Sequence, residues 1–255
     1  MRIVVKVGTS TLTYSNGMLN IRHIEAFCKV LSDIKNQGHE IIIVSSGAIA
    51  MGVGKLSLKK RPDDIPTRQA AAAVGQCELM YTYDKLFSEY NHTVAQILLT
   101  NSVIDNEHMN INFKNTVNRL LEMGVIPIIN ENDSVSTEEI CIGDNDTLGA
   151  VVTVCSDADL LVLLSDIDGL YTDDPRKNPE AELIPVITEV NDSIRALAHG
   201  KGSENGTGGM ITKISAAEIC MNAGCDMIVS NGANPEILYD IIEGKNIGTR
   251  FIGAK

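Results

Sequence analysis

Apolar runs of strand length alternate with amphipathic stretches of helix length along nearly the whole chain, and this rhythm restricts the fold more than any other feature. "RIVVKV" (2–7) reads as a strand, "IRHIEAFCKVLSDIKNQG" (21–38) as a helix closed by Gly38, and "EIIIVSS" (40–46) as the next strand. After Pro66, the Ala-rich "TRQAAAAVGQCELMYTYDKLFSEY" carries Leu79, Tyr83 and Leu86 at helical spacing and leads into the strand "TVAQILL" (93–99). The pattern repeats with "FKNTVNRLLEMG" before "VIPIIN", "TLGAVVTVCSDA" before "LLVLLSD", and "MITKISAAEICMNAG" before "DMIVSN". A last helix, "PEILYDIIEG", precedes a short strand near Phe251. Such alternation specifies an α/β protein of repeated βα units around a mainly parallel sheet. The apolar share of 44% with only 4% aromatic residues and no Trp agrees, because strands buried on both faces are built from Ile, Val and Leu. No low-complexity linker or internal repeat interrupts the rhythm, so residues 1–255 are expected to form a single domain. A softer division near residue 150 separates two lobes sharing one sheet.

Charge and cysteine usage exclude several function classes. A net charge of -12 disfavours a nucleic-acid binder, which needs a dominant basic face, so an anionic ligand must be held by local groups. The cysteines at 28, 77, 141, 155, 220 and 225 form no CxxC pair, which points to buried reduced thiols rather than a disulfide scaffold or zinc ribbon. The chain enters a strand pattern at "MRIVVKVG", so no signal sequence is expected, and its apolar runs, such as "LLVLL", are far too short to span a membrane. The expectation is a soluble cytoplasmic protein with no membrane association.

In a parallel sheet, ligands collect where strand ends meet helix amino termini, so those turns are the places to look for chemistry. In "VVKVGTSTL", Lys6 interrupts an apolar strand and Gly8 follows; the lysine is either paired or anion-binding, or a snorkelling residue of an edge strand. In "IIIVSSGAIAMGVG", Ser46 and Gly47 stand at a strand-to-helix turn, where they serve either a ligand or the helix cap. "LLVLLSDIDGLYTDDPR" places Ser165, Asp166 and Asp168 after a strand; the spacing fails for a calcium loop, and turn formation by Asp and Gly is the plain alternative. In "GSENGTGGMITKISAAE", a glycine loop opens a helix with Lys213 in its first turn, a phosphate cradle or simply a flexible loop. Neither a Walker A pattern nor GxGxxG occurs, against P-loop enzymes and classical dinucleotide-binding folds. Between the second and third of these turns, "INENDSVSTEEICIGDNDTLGA" (129–150) concentrates six acidic residues, which could be a solvated loop, a metal cage or a catalytic organiser.

The order of "VVKVGTSTLT", "VSSGAIAMG", "AAVGQ", "INENDSVSTEEICIGDNDTL", "LSDIDGLYTDDPR" and "GTGGMITKISAA" resembles that of the amino acid kinase family over nearly the whole chain. The "INEND" and "GDND" pair resembles most the members that act on glutamate. The resemblance implies a three-layer α/β/α sandwich, with an amino-acid-binding lobe over about 1–150 and a nucleotide-binding lobe over 151–255. It implies that ATP, with Mg²⁺, donates its γ-phosphoryl group to the side-chain carboxylate of L-glutamate, giving L-glutamyl 5-phosphate, the first step of proline biosynthesis. Carried over residue by residue, Lys6 and Lys213 would supply positive charge at the transferring group, and Asp146 would orient both. Ser46, Gly47, Asp133 and Asn145 would bind the amino acid. Lys6, Gly8, Ser165, Asp166 and the run Thr207, Gly208, Gly209, Met210, Ile211, Thr212 and Lys213 would bind ATP. Asp144 would support them and Glu138 and Glu139 would be solvated. No protein metal ligand is expected, the metal being held by ATP oxygens and water. A carboxylate is already nucleophilic at neutral pH, so the reaction needs alignment and positive charge rather than a general base, in keeping with five scattered histidines.

The resemblance also suggests feedback inhibition by proline and a homo-oligomer, formed through helices or the long loop around 176–206. The expectation is that the carboxyl-terminal accessory domain that many bacterial members carry does not follow Lys255, which bears on both. Rival readings are a sibling kinase with another carboxylate or phosphate acceptor, a noncatalytic nucleotide or amino-acid sensor, and an oxidoreductase on a related sheet, which the missing GxGxxG opposes.

Overall fold

A computed structural model describes residues 1–14, 16–100, 106–135, 145–198 and 209–254. Its strands are β1 (Arg2–Val7), β2 (Glu40–Ser45), β3 (Val94–Leu99), β4 (Ile126–Glu131), β5 (Leu160–Ser165), β6 (Val186–Ile187), β7 (Asp226–Asn231) and β8 (Thr249–Phe251). They form one sheet in the order β3-β4-β2-β1-β5-β7-β8-β6. All pairs are parallel except β7 with β8, so the sheet is mainly parallel with a reversed edge. The helices are α1 (Thr9–Leu12), α2 (Ile21–Asn36), α3 (Ala48–Lys55), α4 (Ile65–Ser88), α5 (Glu107–Glu122), α6 (Asn145–Cys155), α7 (Asp192–Ala198), α8 (Met210–Asn222) and α9 (Ile237–Ile242). Of these elements, α1, β6 and α7 are absent from the sequence pattern, because pieces so short carry too few residues to show a period.

Alternation of side chains along the central strands sorts the core into two layers. Ile3, Val5 and Val7 of β1 pack with Ile41 and Ile43 of β2 and Val162 of β5 beneath α2, α4 and α9, through Phe27, Leu31, Leu79, Tyr83, Phe87 and Leu238. Val4, Val44, Leu161 and Leu163 face the other side, under α5, α6 and α8, with Val117, Leu148, Val152, Ile214 and Ala217. The result is a three-layer α/β/α sandwich. Lys6 shares the face of Val4 and lies between Val44 and Leu163 in register, so β1 is a central strand and the snorkelling edge lysine is excluded.

Local signals set the helix boundaries as the sequence suggests. Asn20, Asp64 and Asn106 cap α2, α4 and α5 through side-chain bonds to backbone N–H groups three residues on, and Gly38 closes α2 with φ 93°. α5 begins at Glu107 rather than at Phe113, because Asn106 supplies a cap ahead of the apolar stripe. One expectation needs correction. Cys28 and Cys220 are buried, but Cys155 and Cys225 are half-buried and Cys77 is exposed, since it lies on the outward side of α4; Cys141 lies outside the described residues.

Candidate active site

The strand ends Val7, Ser45, Glu131 and Ser165 open on the same edge of the sheet, and the side chains singled out above gather there. Lys6 leaves the last turn of β1 toward α6, where Asp146 sits in the first helical turn, wholly buried. The Lys6 Nζ lies 2.6 Å from Asp146 Oδ1, and Lys213 Nζ donates to Asp146 Oδ2 at 3.0 Å. The hydroxyl of Thr212, beside Lys213 on α8, lies 3.0 Å from the same Oδ2 and 2.8 Å from the Gly209 carbonyl oxygen, two acceptors that share its single proton. α6 and α8 thus converge on β1 through one carboxylate and two ammonium groups. Burial acts to raise the Asp146 carboxyl, but the attraction and hydrogen bonds of Lys6 and Lys213 outweigh it and hold the group below its ordinary value, as an anion.

A buried carboxylate with two cations leaves net positive charge at the strand ends, in a chain that is otherwise strongly acidic. Gly8 adjoins this charge: a Cβ there would lie 3.7 Å from Lys6 Nζ, so the backbone passes close to the ammonium group. Both oxygens of Asp146 are engaged by ammonium groups. Among the described residues no group of three or more His, Cys, Asp or Glu side chains could hold a metal ion.

A second cluster lies on the β2–β4 side. Asn145 Nδ2 donates to Ser46 Oγ at 2.6 Å and to Asn130 Oδ1 at 3.1 Å. Asn130 Oδ1 also accepts from the Glu131 backbone N–H at 2.9 Å, while its Nδ2 donates to Gln76 Oε1 at 3.0 Å. Gly47 carries φ 103°, a left-handed conformation that turns β2 sharply into α3 and suits glycine. That turn starts α3 directly after Ser46 and Gly47, and the first N–H groups of a helix have no acceptor within the helix.

Beyond it a cavity of about 390 Å³ is lined by Ala48, Gln76, Met80, Leu98, Glu131 and Asp133, among others. Burial first, and the neighbouring Glu131 second, push the Asp133 carboxyl up to about 6 against the opposing pull of Arg68 and Arg61. A larger and more open cavity of about 610 Å³ lies around Met1, Arg2, Glu40 and Asp159, at the amino ends of the strands and away from these side chains.

On the β5 side, Ser165 Oγ donates to Asp166 Oδ1 at 3.2 Å, and Gly232 N–H donates to the Ser165 carbonyl oxygen at 2.8 Å. Asp168 accepts from Asn231 Nδ2 at 2.8 Å and from the Tyr171 hydroxyl at 3.0 Å, so its place in the turn is structural. Gly209 caps α8, followed by Met210, Ile211 and Thr212; Thr207 and Gly208 lie outside the described residues, as do Glu138, Glu139 and Asp144. The structure therefore brings Lys6, Asp146, Thr212 and Lys213 together, joins Ser46 to Asn145, and sets Asp133 in the lining of the cavity that also holds Ala48. Sequence reasoning passed over Asn130 and Gln76. A polar residue ending the apolar run "VIPIIN" was the available signal for the first, and the second had none beyond its place in "AAVGQ".

Comparison with known proteins gives this geometry a family. A model of the amino acid kinase family matches residues 1–231. The chain is 54% identical to a glutamate 5-kinase of Clostridium perfringens (strain 13 / Type A), with 100% of this chain and 96% of the relative covered. It is 52% identical to a glutamate 5-kinase of Listeria monocytogenes serovar 1/2a, at 100% and 94% coverage. Among solved structures, a T. acidophilum isopentenyl phosphate kinase product complex superposes with a TM-score of 0.63 at 19% identity over 98% of this chain and 100% of that one, a likeness of fold. With its buried ammonium–carboxylate–ammonium bridge set on such a sheet, the chain belongs to the amino acid kinase family.

Proposed function

We propose that this chain catalyses transfer of the γ-phosphoryl group of ATP to the side-chain carboxylate of L-glutamate, producing L-glutamyl 5-phosphate and ADP as the first step of proline biosynthesis. The single observation that carries the reading is the bridge in which Asp146 fixes Lys6 and Lys213 at one strand edge. The identity of 50–54% to glutamate 5-kinases along the full chain supports the choice of acceptor.

In the transfer step, an oxygen of the glutamate side-chain carboxylate forms a bond to the γ-phosphorus. The bond from that phosphorus to the bridging oxygen breaks, and its electron pair leaves with ADP. No proton moves, so no general base is required. The barrier is the approach of an anion to a polyanion, and stabilisation comes from cations held at the right point before the reaction begins. Lys6 and Lys213 fill that role. Each contributes on the order of 4 kcal/mol at about 4 Å and an effective dielectric near 20, against about 0–1 kcal/mol for an exposed ion pair. Asp146 does not meet the substrate; it orients both ammonium groups.

Glutamate binds with its reacting end toward Ser46, Gly47 and the start of α3 and its ammonium toward Asp133, and Asn145 serves the carboxylate side through Ser46, whose Oγ accepts from the Asn145 amide and keeps its own proton to donate. The nucleotide lies across the second lobe, 151–255, with Ser165, Asp166 and the start of α8 along it, while the amino acid occupies the first lobe. Because both oxygens of Asp146 are committed to ammonium groups, the donor set fits a Mg²⁺ held by nucleotide oxygens and water. When bound, that ion neutralises charge on the phosphates.

Proline, which shares the α-carboxylate and the cationic nitrogen of glutamate, inhibits by feedback, and the protein acts as a cytoplasmic homo-oligomer. These last points rest on family resemblance; no helix among the described residues is long and apolar enough to cross a membrane. The deciding experiment incubates the protein with ATP, Mg²⁺ and single amino acids and traps acyl phosphate with hydroxylamine. A hydroxamate signal with glutamate alone is expected. Signal with a different acceptor overturns the substrate, and ligand binding without ADP release overturns the reaction.

A further inference from the structure

We infer that Gln76 is a substrate-binding residue whose amide N–H group donates to a carboxylate oxygen of the bound amino acid, and that Asn130 fixes which end of that amide faces the cavity. The inference rests on the phosphotransfer reading above and deepens it.

Gln76 stands on α4, 8% exposed, and lines the cavity that also holds Asp133. Its Oε1 is taken by Asn130 Nδ2 at 3.0 Å, whereas its buried Nε2 has no hydrogen-bond partner among the described residues. An amide donor left alone in a buried place is unfavourable, and where such a group lines a ligand cavity the ligand is its natural acceptor.

The direction of the amide is not arbitrary. Asn130 Oδ1 accepts twice, from Asn145 Nδ2 and from the Glu131 backbone N–H, and the second donor cannot reverse because it is main chain. Asn130 must therefore present Nδ2 to Gln76, and Gln76 must answer with Oε1. The donor end of Gln76, shielded from water, is left without an acceptor in the wall of the cavity that this residue lines. One main-chain N–H thus sets the polarity of Asn130 and Gln76 in turn, while the same Asn130 oxygen holds Asn145, which also touches Ser46. Placed with Asp133 and Glu131, the arrangement supplies one donor for a carboxylate and two acids for an ammonium, the pattern of an amino acid.

Three variants test this, with hydroxamate formation, KM for each substrate and thermal unfolding as readouts. Q76L removes the donor, and Q76E replaces it with an acceptor of the same shape. N130D keeps the acceptor for Asn145 and the Glu131 N–H but presents an oxygen to Gln76, forcing its amide to reverse. Each is expected to raise the glutamate KM about tenfold or more, the size of a lost hydrogen bond to a charged group. The KM for ATP should change less than twofold, and N130D should add little in the Q76L background because both act through one donor. An unchanged glutamate KM in Q76L or Q76E overturns the assignment, and so do additive effects of N130D and Q76L. If a Gln76 variant does not fold, N130D alone decides, since it reverses the donor with Gln76 in place. Absence of hydroxamate from the unaltered protein would instead defeat the underlying reading, so the two failures are distinguishable.

Discussion

Lys6 and Lys213 grip opposite oxygens of Asp146, at 2.6 and 3.0 Å, so that two cations from different halves of the chain are held by one buried carboxylate. Neither lysine has freedom to wander, because each is almost fully covered and bonded at its tip. Preorganised charge of this kind acts at the transition state without reorganisation during the reaction.

Replacing either lysine separates its role in turnover from binding. Lys6→Ala and Lys213→Ala are each expected to lower kcat by about 100-fold or more while changing the glutamate KM by less than about threefold, because the charge matters most as the phosphoryl group transfers. Steady-state kinetics with glutamate varied at saturating ATP checks this. Near-normal kcat would remove that lysine from the mechanism.

Asp146→Asn keeps the shape but discards the charge that both ammonium groups require. It should destabilise the fold by about 3–5 kcal/mol, the range for breaking one partner of a buried pair, and should depress kcat together with stability. The pH dependence follows from a folded pKa lowered beneath the ordinary 3.8. The carboxylate's contribution is fully present above 3.8 and is lost as pH falls through the lower folded value. Denaturant unfolding from pH 7 down to pH 2 should therefore show a loss of stability in the native protein that is smaller in D146N; equal losses would contradict the bridge.

Asp133 behaves in the opposite sense. Its carboxyl is raised from 3.8 to about 6, so the stability linked to its proton is present below 3.8 and lost as pH rises through about 6. D133N should accordingly raise the melting temperature at pH 8, with the gain fading as pH falls toward 4. The same change should raise the glutamate KM about tenfold or more by removing the proposed partner of the substrate ammonium. Glutamate affinity of the native protein should also increase between pH 5 and 7, roughly the range in which Asp133 ionises. A variant melting at the native temperature at pH 8, with unchanged KM, would sink both the environment and the role assigned to this carboxylate.

The helices that carry Gly47 and Gln76 touch backbone to backbone. A Cβ at Gly75 would sit 1.7 Å from the Ala48 carbonyl oxygen and 2.4 Å from the Gly52 nitrogen, and one at Gly52 would sit 1.8 Å from the Ala71 carbonyl oxygen. No side-chain rotation relieves contacts of main chain with main chain, so α3 and α4 must move apart. Gly75→Ala is expected to destabilise by about 1–3 kcal/mol or more and to raise the glutamate KM, because Ala48 follows Gly47 at the mouth of the site. Calorimetry and kinetics on the same preparation check the two effects together, and a variant melting within one degree of the native protein would contradict so close a crossing.

The sequence alone determined the alternation of strands and helices, the parallel sheet and the turns where chemistry gathers. These are consequences of local period, of caps such as Asn20 and Asp64, and of glycines such as Gly38, all of which act within a few residues. The family resemblance assigned roles to Lys6, Asp146 and Lys213, but their physical state was a property of the folded molecule. Only the sheet order, with β1 in the middle, made Lys6 a buried residue rather than an edge one, and only the packing of α6 and α8 on that strand brought one carboxylate between two cations. The amide chain from Asn145 through Asn130 to Gln76 was equally invisible, because hydrogen-bond partners on three different elements leave no period in the sequence. Burial and charge pairing depend on neighbours distant along the chain, so tertiary structure decided which polar residues are held, which way they point and which of them remain to meet a ligand.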